Sequence, residues 1–285
     1  MLIDVNNLKR SVLVAGLVLV LAGCSSFSLL YSFAGNYVMA QADTYLAPTD
    51  EEEAFIERKT DELIRWHSAV MLPQYAQAFT NWADRVEAGP LERQSTTNML
   101  KELRQLIDHV IEGGAPFASA VLARHTSPDQ MMTLRQRVAE KMAEMREEYE
   151  DRDNQIADRT ETITDNFERI TGTLNDAQRG KIREYVTSSE TNTTDWLTNR
   201  QKRQAAFLSF LDKRPDEAQI AKFVVQILLR PHEIVNPEYR KISERRWEVI
   251  DQMMFDVMST LTEAQRKETI RNLRDYAAEM LAEAT

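Results

Sequence analysis

One cysteine, four histidines, eight glycines and eight prolines occur in the 285 residues of this chain. A single cysteine excludes an intramolecular disulfide, so the fold must rest on packing, which is feasible at this length. So little glycine and proline excludes a low-complexity chain, and the apolar fraction is ordinary for a folded domain. No apolar run reaches the roughly 20 residues that carry a helix across a bilayer. Positive charge is in deficit, with 35 Lys and Arg against 45 Asp and Glu and a net charge of −10. That balance excludes a nucleic-acid partner and electrostatic docking on an anionic lipid face, both of which call for a basic surface. Signatures of chemistry are missing as well. None of His67, His109, His125 and His232 has a glutamate three residues before it, so the helical di-iron pattern is absent. There is no His-Glu-x-x-His, Cys-x-x-Cys-His or Gly-x-Ser-x-Gly motif and no phosphate-cradling glycine loop. These absences lead to the expectation of a protein without metal, cofactor or catalytic activity.

What is present begins with Lys9 and Arg10, an apolar run from Val12 to Ala22, and then Leu21-Ala22-Gly23-Cys24. A short basic segment, a short apolar segment and small residues at a cut site make a secretory signal over residues 1–23. The four residues Leu21 to Cys24 resemble the bacterial lipobox. That resemblance implies a diacylglycerol on the Cys24 thiol, with Cys24 as the new N-terminus, and several acyl chains give durable anchoring. Ser25 follows the anchor, and in lipoproteins of the enterobacterial type aspartate there resembles an inner-membrane retention signal. Serine implies the periplasmic face of the outer membrane. Residues 24–46 then form a lipidated, aromatic-rich tether with Phe27, Tyr31, Phe33 and Tyr37. It is too apolar to stay solvated like a Gly/Ser linker. It either packs on the domain as a short helix or lays its aromatics at the lipid interface.

Residues 47–285 read as one all-helical domain. Four helix starts share one chemistry: Thr49-x-x-Glu52, Ser127-x-x-Gln130, Asn175-x-x-Gln178 and Thr262-x-x-Gln265. In each, a small oxygen-bearing side chain caps the N3 amide, and the Glu or Gln at N3 reaches back to the cap residue's own N–H. Met131, Leu134, Val138, Met142, Met145, Tyr149, Ile156, Ile163, Phe167 and Ile170 follow by threes and fours. Arg152 and Arg159 interrupt this heptad-like seam. The spacing predicts one helix over 129–170, roughly 60 Å long, and hence an elongated multi-helix bundle with long antiparallel helices. Further helices are expected near 50–87, 91–111, 116–124, 175–190, 194–212, 216–230, 237–259 and 262–283. Pro73 should kink or break the first of these. Gly113-Gly114 reads as a connection, and the segment 231–237 as a stiff non-helical linker.

Two resemblances go further. Leu174-Asn-Asp-Ala-Gln178 and Leu261-Thr-Glu-Ala-Gln265 are similar to the LTxxQ motifs of periplasmic stress proteins of the CpxP and Spy type. Those proteins are helical and bind partly unfolded proteins or a sensor kinase. This sequence departs from the LTxxQ form at Thr49, at Thr126 and at Asn175. A wider resemblance is to a family of uncharacterised proteobacterial all-helical lipoproteins. It is carried by the lipobox, the aromatic stretch after it, Leu63-Ile-Arg-Trp66-His67, Leu72-Pro73-x-Tyr75, Ser127-Pro-Asp-Gln130, Pro237-Glu-Tyr239 and Leu273-Arg-Asp-Tyr276. It implies a fold and a location and carries no activity with it.

Trp66, His67 and Tyr75 form the candidate binding site. One reading is a groove beside Pro73 able to bind or to move a proton. The other is a core tryptophan and a hydrogen-bonded histidine, the usual fate of aromatics on helices. An envelope hydrolase or metal-dependent enzyme would combine His67 with Asp61 or Glu62, although positions 62 and 67 lie about 140° apart around a helix. The methionines, of which there are 12, fit a helical core or an adaptable surface. The leading expectation is a non-catalytic protein-interaction or chaperone-like module, membrane-bound through its lipid, with envelope proteins as partners. A structural spacer is a further alternative. The sequence does not fix the oligomeric state.

Overall fold

The computed structural model describes residues 27–149, 152–189 and 193–284. The leader, Leu21, Ala22, Gly23 and Cys24 lie outside the described residues. Among those described, all regular structure is helical. In chain order the helices are α1 (Phe27–Ser32), α2 (Ala34–Leu46), α3 (Asp50–Trp66), a π-helical turn (His67–Met71), α4 (Leu72–Ala88) and α5 (Arg93–Leu122). Then come α6 (Pro128–Glu148), α7 (Arg152–Thr171), α8 (Asp176–Ser189), α9 (Thr193–Leu211), α10 (Glu217–Leu229), a 3-10 turn (Pro231–Glu233), α11 (Tyr239–Met258) and α12 (Glu263–Glu283). The protein has an all-α, multi-helix fold.

Three apolar clusters hold the helices together. The first packs α1, the π turn and α4 on α12, with Phe27, Met71, Leu72, Phe79, Trp82 and Leu273 at its centre. Here α12 runs antiparallel to α4. The Arg266 guanidinium donates to the Val86 carbonyl at 2.7 Å, and farther along Tyr276 meets the Phe79 ring edge-on. The second joins α2, α3, α5, α6, α9 and α10 around Leu46, Ile107, Leu134, Phe207 and Ile220. The third seats α8 and α11 together through Ile182, Val186, Met253 and Val257, with Ile163 and Phe167 of α7 against them. Met142, Met145, Met253 and Met258 are buried and Met132 is exposed, so most of the methionine stripe is core.

Three expectations from the sequence change. The helix foreseen over 129–170 is two helices. α6 ends at Glu148, and the Tyr149 N–H bonds the Met145 and Arg146 carbonyls in a tightened last turn. α7 begins at Arg152, and residues 150–151 lie outside the described residues. The halves of the seam serve different neighbours, α6 packing on α2 and α9, α7 on α8 and α12. Tyr149 lies over Trp196 of α9, ring centroids 5.2 Å apart.

Gly113-Gly114 is not a connection: α5 runs unbroken through it and through Pro116. The reason is tertiary. A Cβ on Gly113 would sit 1.9 Å from Cζ2 of Trp66, so the missing side chain is the seat of the Trp66 ring. A glycine costs up to about 1 kcal/mol of helix propensity, and the packing of an indole offsets that. Pro73 neither breaks nor ends the helical path. The π turn precedes it, and the Leu72 N–H reaches the His67 carbonyl, five residues back. Widening the turn moves the carbonyl that the proline ring would otherwise strike, and it leaves Pro73 in the first turn of α4, where no donor is missed. Residues 27–46 pack on the helices that follow: α2 buries Ala42, Tyr45 and Leu46, and α1 buries Phe27 and Tyr31.

Candidate functional site

His67 stands at the first residue of the π turn, where the chain passes from α3 toward α4. A widened turn displaces its side chains from the faces a regular helix would give them, and such turns recur at functional sites. His67 Nδ1 lies 3.1 Å from the Tyr31 hydroxyl, and Nε2 lies 3.3 Å from the Tyr75 hydroxyl. The Tyr31 hydroxyl donates to the Ile64 carbonyl at 3.1 Å. A carbonyl only accepts, so this bond uses the Tyr31 proton. His67 Nδ1–H then donates to Tyr31, and Tyr75 donates to Nε2. The result is a directed chain from Tyr75 through His67 and Tyr31 to the backbone of α3, with His67 neutral. Burial pushes the His67 imidazole down to about 4. Burial also pushes the Tyr31 phenol up to about 12, against a hydrogen bond with Ser68 that lowers it and together with the nearby Glu283 charge, and raises the Tyr75 phenol. All three groups are held in their uncharged forms.

Trp66 continues the cluster. Its ring lies 6.0 Å from Phe117 and 6.3 Å from His67 between centroids, against the bare backbone of Gly113. At Gly114 a Cβ would meet only Leu63, in ordinary contact at 3.8 Å. The acids proposed for an enzyme are engaged elsewhere or open to water: Glu62 pairs with Lys59 at 2.7 Å, and Asp61 is exposed. Among the described residues, no three His, Cys, Asp or Glu side chains converge as a metal site.

The capping pairs produce a second arrangement. Gln178 Oε1 accepts from the Asn175 N–H at 3.0 Å, and Gln265 Oε1 accepts from the Thr262 N–H at 2.9 Å. The two glutamines also bond each other through both amide groups, at 3.2 and 3.0 Å. Each Nε2 donates in addition to a carbonyl two residues before the other's cap, Gln265 to Thr173 at 2.8 Å and Gln178 to Thr260 at 3.2 Å. Every donor and acceptor of two buried amides is thus used. The starts of α8 and α12 are locked together.

The starts of α3 and α6 meet in the same way. Glu52 Oε2 accepts from the Thr49 N–H at 3.0 Å, and Gln130 Oε1 accepts from the Ser127 N–H at 2.8 Å. Gln130 Nε2 donates to Glu52 Oε1. A carboxylate has no proton to give the chain two residues before Ser127, and there the direction reverses. His125 donates from Nδ1 to Glu52 at 3.4 Å, while its buried Nε2 has no hydrogen-bond partner among the described residues. Burial alone would raise the Glu52 carboxyl. The Thr49 backbone and hydroxyl and His125 outweigh it, and the carboxyl is held below its usual value. Burial lowers His125 in turn, against the pull of Glu52.

Sequence reasoning missed several of these residues. Tyr31 carries no local signal of its role. A fifth capping box, Asp216 with Gln219, was visible as Asp-x-x-Gln after Pro215 and was passed over. Asn199 and Gln204 are also buried on α9.

Residues 44–240, more than half of the chain, match DUF6279, a family of unknown function. The chain belongs to this family. No curated protein and no solved structure matches it. The matched segment holds Glu52, Trp66, His67, Tyr75, Gly113, His125, Gln130 and Gln178, and it leaves out Tyr31 and Gln265. Both clusters therefore straddle its edges. No helix among the described residues is long and apolar enough to cross a membrane.

Proposed function

We propose that this protein is a lipid-anchored, non-catalytic interaction module of the bacterial envelope, held to the periplasmic face of the outer membrane through Cys24. The observation that carries the reading is the state of His67, the best candidate for chemistry. Both of its ring nitrogens lie at hydrogen-bond distance from a phenol, and its low proton affinity keeps it neutral. A general base needs a free lone pair facing a substrate. The other striking-distance pairs of polar groups, Glu52 with His125 and Gln178 with Gln265, likewise bond each other. Chemistry-bearing side chains serve as joints between helices, and recognition falls to the outer surface. The lipobox pattern supports the location. The paired glutamines at Leu174–Gln178 and Leu261–Gln265 support the likeness to the LTxxQ-motif stress proteins, and with it the binding of partly unfolded envelope proteins.

Photoreactive residues on the exposed side of α6, at Met132, Arg137 and Glu140, test this in living cells. Adducts with many unrelated envelope proteins are expected for a chaperone-like module, and a single stoichiometric partner would make it a dedicated scaffold. A folded, correctly localised protein that yields no adduct, and that fails to delay aggregation of an unfolded polypeptide, would overturn the reading.

A further inference from the structure

Among the described residues, the large apolar side chains most open to water are Phe33, Tyr37, Val70, Met132 and Leu281. Three of the five gather at one end of the α4–α12 pair. Phe33 follows α1 directly, and Tyr37 lies one turn later on the same face of α2. Val70 lies apart, on the flank of the helical path where Gln74, one turn on, bonds His109 of α5. Leu281 is in the last turn of α12, the helix on which α1 packs. Glu283, two residues on, is close enough to Tyr31 to act on its phenol. Single exposed apolar residues need no explanation, whereas a group of them gathered at one end of a domain marks a contact surface.

The chain itself says what covers this end. Only Ser25 and Ser26 separate Cys24 from Phe27. Phe27 is fixed, 2% exposed in the cluster it shares with Leu72, Leu273 and Met280. Three residue steps of fully extended chain reach at most about 10 Å. If Cys24 carries acyl chains in a leaflet, the α1 end of the bundle cannot stand away from that leaflet. We infer that the face formed by Phe33, Tyr37 and Leu281 lies in the headgroup region of the membrane that holds the anchor, so that the domain is docked on the lipid surface and not suspended from it. Phenyl and phenol rings suit this layer, with an apolar body and, in Tyr37, a polar tip. The occupant is a neutral, phosphatidylethanolamine-rich surface, since the net charge of −10 disfavours an anionic one. This inference rests on the lipid-anchor part of the proposed function.

The full-length protein, purified from membranes, is placed in phosphatidylethanolamine vesicles that include a photoreactive phosphatidylethanolamine. After illumination and digestion, mass spectrometry locates lipid adducts and, in the same digest, weighs the peptide that begins at Cys24. Docking predicts an acylated Cys24 and adducts on the peptides carrying Phe33, Tyr37 and Leu281, with none at Met132. Replacing Phe33, Tyr37 and Leu281 by serine should abolish the adducts while circular dichroism and acylation stay unchanged. An acylated protein without adducts at this end overturns the docking and leaves the anchor standing. An unacylated Cys24 overturns the anchor, and the docking with it.

Discussion

Gln178 and Gln265, 87 residues apart, each donate a side-chain hydrogen bond to the other's amide oxygen while that same oxygen caps the start of its own helix. One pair of side chains thereby sets the ends of α8 and α12 and their mutual position. Removing either leaves buried partners unpaired, at a cost of about 1–3 kcal/mol. Gln178→Ala and Gln265→Ala should each lower the urea midpoint. The double variant should lose clearly less than the sum of the two, since the residues form one network. Additive losses in a denaturant series would show that each acts only as a cap.

The two neighbouring glycines of α5 should respond in opposite directions. Gly113→Ala places a methyl 1.9 Å from an indole carbon, and overpacking of that kind costs roughly 1–3 kcal/mol or more. Gly114→Ala meets only Leu63 at 3.8 Å and should gain up to about 1 kcal/mol from helix propensity. Thermal unfolding of the two variants, with Trp66 fluorescence followed alongside, checks both expectations.

Acid should weaken the fold through His67. Its folded-state value lies near 4, below the ordinary histidine value of 6.5. The unfolded chain therefore takes up a proton before the folded one does as the pH falls. Stability is flat above the ordinary value and falls as pH drops from 6.5 toward 4, by an amount on the order of 3 kcal/mol. His125 is lowered as well and acts in the same direction. His67→Phe should reduce the slope of unfolding free energy between pH 6.5 and 5. A slope equal to that of the parent would assign the effect elsewhere.

Glu52 should matter more than an ordinary cap. Thr49→Ala removes one capping oxygen, worth about 1 kcal/mol. Glu52→Ala removes the bond to the Thr49 N–H and leaves Gln130 and His125 without their shared acceptor. The loss should reach about 2 kcal/mol or more, and it should shrink as the pH falls and the Glu52 carboxylate is protonated in the parent. Denaturant titrations at pH 7 and pH 4 make the comparison.

Helix starts were legible in the sequence because capping is local chemistry. Thr49 and Glu52 are three residues apart, and nothing else need be known to pair them. That Glu52 also meets Gln130, or Gln178 meets Gln265, depends on how whole helices cross, and no spacing announces it. Gly113-Gly114 was misread for the same reason. A glycine pair reads locally as a break, and its purpose is visible only once Trp66 lies on it. The periodic seam over 129–170 persisted through Tyr149 because two consecutive helices can both be amphipathic, each toward a different core. Pro73 was read as a break because a π turn has no pattern of its own in the sequence. The sequence puts His67 beside Trp66 and near Tyr75, but Tyr31, its other neighbour, sits in a stretch that looked like a tether.

One rod, α5, contributes Met99 to the first core and Ile107, Ile111, Ala115 and Leu122 to the second. Neither core can come apart without stripping a surface from a helix that the other still holds. A tear started at either end of the bundle is therefore carried along α5, and loss of the fold should be a single cooperative event rather than a sequence of partial ones.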